Sequence, residues 1–408
     1  MFEKNDTATL HNPFVLFGIL LLVVNVIAEQ FINVPVAELV ILAAIAYAFY
    51  HQGGFLKVPY ILVAGALSIL LVLWVSFVDY YHDADLGSAI RTFSRTFTYY
   101  ALIVGYILLP CKRNVFHLMV GFMVGHVAYF ILQTYLMYLT TSPQAMYVLK
   151  WWLPAPSIVI LTNFFFKDLF SRGIQRLNIG FFVTILIMSP YISSRGGMIS
   201  LVVGLLFYIA VRYVRVPSSL LVAASVLLPL MFMGIASVFY DSSNIWSFYD
   251  WLVDIDYATS SNVERLLALH SNISIAMDYP LLGVGMKGFE PIIMPYVFEL
   301  FPERATPLTP HNYYLEFMVP YGVPAMLLVM SILALIYATL VKTMKITGQQ
   351  VAIALFVSSI IAWAMLTNTG AGYGRLITFY LIFFSFYGLN ELNLKKYSAM
   401  EEGKHLNC

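Results

Sequence analysis

The chain has 408 residues, of which 61% are hydrophobic and 11% charged, with a mean hydropathy of +0.82 and a formal net charge of +1. Average chains carry about 25% charged residues, so this composition excludes a soluble globular domain and describes an all-α polytopic membrane protein. No nucleic-acid partner is expected.

Crossing the hydrocarbon core takes about 20 apolar residues in helical form. Runs of that kind predict spans near 13–28, 36–50, 60–78, 96–110, 115–139, 155–166, 178–193, 198–211, 218–240, 321–341, 350–366 and 376–390. Twelve spans put both termini on one side. With the termini inside, the inner segments hold 14 basic and 6 acidic residues and the outer segments 8 and 15, a net of +8 inside and −7 outside. Excess Lys and Arg on the cytoplasmic side is the expected bias. The orientation hinges on the short second and sixth spans, because an error in either would invert the N-terminal half.

The first run, preceded by acidic residues and followed by no small-residue cleavage site, reads as a retained span rather than a signal peptide. Cys111 and Cys408 both fall on the cytoplasmic side of this topology, so no disulfide is expected. At the outer start of the fourth span, Arg91 and Arg95 are four apart and share one helix face. Two like charges there suit a common anion, although anchoring to lipid head groups, or pairing with Asp83 and Asp85, explains them slightly better.

Ser193-Ser194-Arg195-Gly196-Gly197 joins two spans with almost no loop, which sets Arg195 at or just below the outer boundary. An arginine at that depth needs a cavity or a partner. Its two readings are a snorkelling side chain in a tight turn and a clamp for phosphate or pyrophosphate oxygens, which the guanidinium fork matches.

Residues 241–310 form the only large extramembrane piece and carry buried-type residues such as Trp246, Trp251, Phe289 and Tyr296. A helical cap on the outer ends of the spans follows. Ser261-Asn262-Val263-Glu264 is a capping-box pattern, and Val263, Leu266, Leu267, Ile273 and Met277 continue it at near-helical spacing up to a stop before Pro280. Arg265 sits in the first turn of that helix, where exposed N–H groups and its guanidinium can face one anion. Glu264 is accounted for by the capping box. Gly283-Val284-Gly285 says turn, not nucleotide.

Thr309-Pro310-His311-Asn312 closes the loop with an N-cap residue and a proline suited to the first helical position, so His311 falls in the first turn of a helix. The positive end of the helix dipole disfavours imidazolium there, leaving a candidate general base. Glu316 either orients that imidazole or is a solvated helix residue. Arg304 and Arg375 are weaker anion-binding candidates. No spacing of histidines, cysteines and carboxylates forms a metal site, and no cofactor is expected. Outer-side arginines with a histidine base suit group transfer from a pyrophosphate leaving group. A transporter would instead place charges deep in the spans and show related halves, and this sequence shows neither.

The order Ser194-Arg195-Gly196, then Arg265 in "VERLLALHSNISIAMDYPLLGVG", then "PHNYYLEFMVPYGV" resembles the O-antigen polymerase and O-antigen ligase superfamily of bacterial inner membranes. The motifs cover roughly residues 190–325. The resemblance implies a GT-C-like membrane fold and a metal-independent, stereochemically inverting glycosyltransferase. It also implies an undecaprenyl-pyrophosphate-linked oligosaccharide donor, with a chain-length-regulating co-polymerase as a partner. By position, Arg195 and Arg265 would bind the pyrophosphate, His311 would activate the acceptor hydroxyl, and Asn312 would match the polar residue after the histidine. The ligase pattern has a glycine where this chain has Ala325. The division implied is 1–240 for spans 1–9, 241–318 for a periplasmic helical loop, and 319–408 for spans 10–12 and a cytoplasmic tail. Between the two activities, nine acidic against three basic residues in 241–310 lean to the polymerase. A ligase must dock the phosphorylated core of lipid A, which favours a basic surface.

Overall fold

The computed structural model describes residues 11–31, 36–52, 59–83, 86–109, 113–140, 171–177, 179–180, 183, 271–286, 292, 294–295 and 315–347. Among them all regular structure is helical, with no strand: α1 (Pro13–Phe31), α2 (Val36–Gln52), α3 (Pro59–Asp83), α4 (Leu86–Leu108), α5 (Arg113–Thr140) and α6 (Leu315–Thr347). Shorter helical stretches lie at 172–177 and 271–278.

The apolar residues are distributed as lipid requires. Phe17, Leu20 and Val23 on α1 and Leu62, Ile69, Leu73 and Phe77 on α3 are exposed, while a second apolar set, including Ile61, Leu71, Tyr106, Phe116 and Phe122, is buried between helices. A helix apolar all round belongs in a membrane. Among the described residues, 59–82 and 315–336 are each long and apolar enough to cross one. Hydroxyls in these helices bond to the carbonyl one turn back: Ser68 to Ala64 at 2.7 Å, Ser76 to Val72 at 2.7 Å and Thr339 to Leu335 at 2.8 Å. That internal bonding removes the cost of a bare hydroxyl in hydrocarbon. The chain is an integral membrane protein.

α1 begins at a cap the sequence dictates. Asn12 accepts the Phe14 N–H on its Oδ1 at 2.9 Å, and Pro13, which has no N–H to lose, takes the first helical position. The Asn12 amide also donates to His117 Nδ1 at 2.9 Å, tying the start of α1 to the start of α5. One turn further on, Gly18 lies against the Leu118 carbonyl and Gly121 against the Val15 carbonyl, so the two backbones touch. α1 and α5 therefore run parallel, the relation that alternating crossings between them require. Small residues at such a crossing replace side-chain packing with backbone contact.

α3 is the hub of the other half, packing on α4 and on α6. Several helices run past the apolar runs read from sequence, α3 to Asp83 rather than 78 and α6 to Thr347 rather than 341 among them. α4 starts at Leu86 rather than near 96, because Arg91, Ser94 and Arg95 interrupt the apolar run but not helix formation. α6 is described from Leu315, ahead of the run read from 321, and is broken at Gly322, whose φ of 78° and ψ of 175° lie where essentially only glycine is found. The apolar run read from 321 thus begins at that break. The spans at 155–166, 198–211, 218–240, 350–366 and 376–390 fall outside the described residues, as does most of the span at 178–193 and most of the cap.

Candidate functional site

One end of the bundle carries an unusual joint. The segment 271–278 is helical and ends as the sequence predicts, just before Pro280, after which the chain turns through 279–286. Gly283 and Gly285 both have positive φ, 65° and 70°, and a side chain on either would collide with neighbouring backbone or side chain: Gly283 with Pro320, Gly285 with His82. The turn is therefore pressed onto α3 and onto the break in α6, and only glycine admits that approach.

Several backbone groups at the break in α6 find partners outside the helix. Pro324 has no N–H, so the Pro320 carbonyl lacks its helical donor. Gly285 N–H supplies it at 2.9 Å. The twist at Gly322 likewise separates Val323 N–H from the Val319 carbonyl. Val323 donates to the Pro280 carbonyl at 2.8 Å, and Val319 accepts from Val284 N–H at 3.1 Å. The Tyr321 carbonyl receives the Trp74 indole N–H from α3 at 2.8 Å. Irregular backbone at membrane depth is tolerated where protein satisfies it, as the turn and α3 do for these four groups.

At the centre of the joint is Asp79 of α3, 0% exposed. Its Oδ1 accepts the Met286 N–H at 3.1 Å, and its Oδ2 accepts the Tyr321 hydroxyl at 3.5 Å. A buried carboxylate persists only with such donors. One side chain thus contacts both the turn and the α6 break from a third element.

Of the residues singled out from sequence, the structure describes three. Arg91 and Arg95 lie one turn apart on α4, within its first three turns, at the end of the bundle where α3 finishes and Asp79 sits. Glu316 is in the first turn of α6 and is half-buried, just ahead of the break. Arg195, Arg265, Arg304, His311, Asn312 and Arg375 lie outside the described residues. By sequence, Arg265 is six residues before Ser271 and His311 four residues before Leu315.

Sequence reasoning passed over Trp74, Asp79 and Tyr321. Asp79 had a signal, an acid within an apolar helix, which marks a functional or structural partner by default. The cluster Pro320-Tyr321-Gly322-Val323-Pro324 was a second, because two prolines around a glycine free several backbone groups at once. The segment 271–278 also buries Ser271, Asn272 and Ser274, a polar set inside a helix whose apolar spacing drew attention first.

Residues 180–330 match the family model described as O-antigen ligase. That segment holds Arg195, Arg265, Arg304, His311, Asn312 and Glu316 together with the turn 279–286 and the α6 break, whereas Asp79, Arg91, Arg95 and Arg375 lie outside it. No curated protein matches the chain.

Proposed function

From the premise that residues 180–330 carry the domain of the O-antigen polymerase and ligase superfamily, we propose that the chain is a glycosyltransferase that polymerises undecaprenyl-pyrophosphate-linked repeat units at the periplasmic face of a bacterial inner membrane. The observation that carries this reading is that Arg195, Arg265 and His311 all fall within the matched segment 180–330. The acceptor hydroxyl attacks the anomeric carbon of the donor glycan, the bond from that carbon to the pyrophosphate oxygen breaks, and His311 takes the hydroxyl proton. Arg195 and Arg265 stabilise the charge that develops on the departing pyrophosphate, without a metal. Asn312 and Glu316 hold the base and acceptor, and Arg91, Arg95, Arg304 and Arg375 bind the donor's anionic group or neighbouring lipid.

The description of the matched family favours a second reading, transfer of the finished glycan to lipid A–core. The acidic balance of 241–310 supports the polymerase instead. Reconstitution with lipid-linked repeat units, with and without a lipid A–core acceptor, separates the two. Polymer formed from repeat units alone is the expected result. Transfer seen only with lipid A–core would make the chain a ligase.

A further inference from the structure

We propose that Asp79 is a positioning residue for glycosyl transfer, fixing the segment that follows Arg265 and the helix that follows His311 against α3. This rests on the roles given above to Arg265 and His311. The Asp79 carboxylate binds the turn through Met286 N–H at 3.1 Å and the α6 break through the Tyr321 hydroxyl at 3.5 Å. The turn closes the helical segment that Arg265 precedes, and the break lies two turns into the helix that His311 precedes.

The fold does not need the carboxylate to hold the joint closed. Backbone bonds from Val284, Gly285 and Val323 join the turn to the break, and Trp74 ties the break to α3. What Asp79 adds is a bond from α3 to both pieces together. Leucine at 79 leaves the Met286 N–H and the Tyr321 hydroxyl without this acceptor, and losing a buried acceptor costs stability. For a purely architectural acid the loss would fall on stability and leave the rate per inserted molecule unchanged. For a positioning acid the rate itself falls, because misplacing a reacting group by about 1 Å costs on the order of 100-fold.

The conservative variant separates the roles. Asparagine at 79 keeps an oxygen for Met286 N–H and offers an N–H to the Tyr321 hydroxyl, so Asp79→Asn preserves both contacts while removing the charge. Asp79→Leu removes both contacts. Purified, reconstituted full-length protein is assayed with undecaprenyl-pyrophosphate-linked repeat units, and kcat and KM are determined per inserted molecule. Asp79→Leu is expected to lower kcat about 10- to 100-fold with KM for the lipid-linked donor within about 3-fold. Asp79→Asn is expected to stay within about 3-fold of wild type in both. Tyr321→Phe, which removes only the contact from the α6 break, is expected to lower kcat about 3- to 10-fold.

An unchanged kcat in Asp79→Leu overturns the proposal, and so does an Asp79→Asn variant as impaired as the leucine. The latter would mean that the charge itself acts on substrate. If Asp79→Leu fails to insert, Tyr321→Phe decides, and wild-type kcat in that variant overturns the proposal. Arg195→Ala and His311→Ala run alongside. Wild-type activity in both of those removes the proposed function, whereas their inactivity beside an unimpaired Asp79→Leu removes only the positioning role.

Discussion

Gly285 donates its N–H to the Pro320 carbonyl at 2.9 Å, the same carbonyl that Pro324, four residues on, leaves without a helical donor. The proline that breaks α6 and the glycine that repairs it come from segments about 40 residues apart, so the kink and the turn form one unit. Loss of either leaves buried backbone groups unpaired, at about 1–3 kcal/mol each.

Gly322 is the most sensitive position in that unit. Its backbone conformation is closed to other residues, and a Cβ there would run into the Leu281 carbonyl. Gly322→Ala is expected to destabilise the protein by about 3 kcal/mol or more. Thermal unfolding in detergent, followed by fluorescence-detected size exclusion, measures this. An unchanged midpoint would mean that the break is not held as described.

The contact of α1 with α5 makes a second stability prediction with a built-in control. Gly121→Ala forces a methyl against the Val15 carbonyl, and Gly18→Ala against that of Leu118, whereas nothing lies within 4 Å of a Cβ at Gly180. The first two substitutions are expected to cost about 1–3 kcal/mol. Gly180→Ala, exposed and helical, is expected to change stability by less than about 1 kcal/mol. Equal midpoints in all three would contradict the backbone contact.

The starts of the first three spans and of the fifth were legible from apolar run length, since lipid leaves a helix no alternative. The start of α4 was not, because run length detects hydrocarbon burial rather than helix formation, and residues around Arg91 and Arg95 are helical without being apolar. The turn at Gly283 and Gly285 was legible as a turn, and the stop before Pro280 as a stop. Their docking on α6 was not, for it depends on which carbonyls the prolines free and on a donor far along the chain. Asp79 lies one residue past the span read at 60–78 and so passed as an ordinary outer-side acid, and its partners Met286 and Tyr321 are more than 200 residues away in sequence. No local pattern encodes such a pairing.

Arg91 and Arg95 carry the choice between donor binding and lipid anchoring. If they bind the donor pyrophosphate, the Arg91→Ala/Arg95→Ala double variant raises KM for the lipid-linked donor about 10-fold or more, the loss of charge-assisted bonds worth roughly 1.5–3 kcal/mol each. In that case kcat should hold. An unchanged KM with poorer membrane insertion would assign them to lipid head groups.

Catalysis by arginines implies indifference to chelators. Purified protein treated with EDTA and assayed on lipid-linked repeat units is expected to keep at least about half its rate, since under the proposed mechanism the guanidinium groups supply the positive charge. Complete loss that a divalent cation restores would replace the arginine mechanism with a metal-assisted one.

Under the proposed mechanism His311 and Arg195 act in unlike ways, and their variants should differ in degree. Removing a general base costs about 100- to 10,000-fold and removing one charge stabiliser about 100- to 1,000-fold. In cells, either His311→Ala or Arg195→Ala is therefore expected to abolish long glycan chains while the protein remains inserted at wild-type level, as read by gel electrophoresis of surface polysaccharide beside a membrane immunoblot. In the reconstituted assay, the acidic limb of the rate profile, where protonation takes the base away, should flatten in His311→Ala, which has no imidazole to accept the hydroxyl proton, and persist in Arg195→Lys. Wild-type chain lengths in the histidine variant would show that the acceptor is activated elsewhere, and a general-base role for His311 would end there.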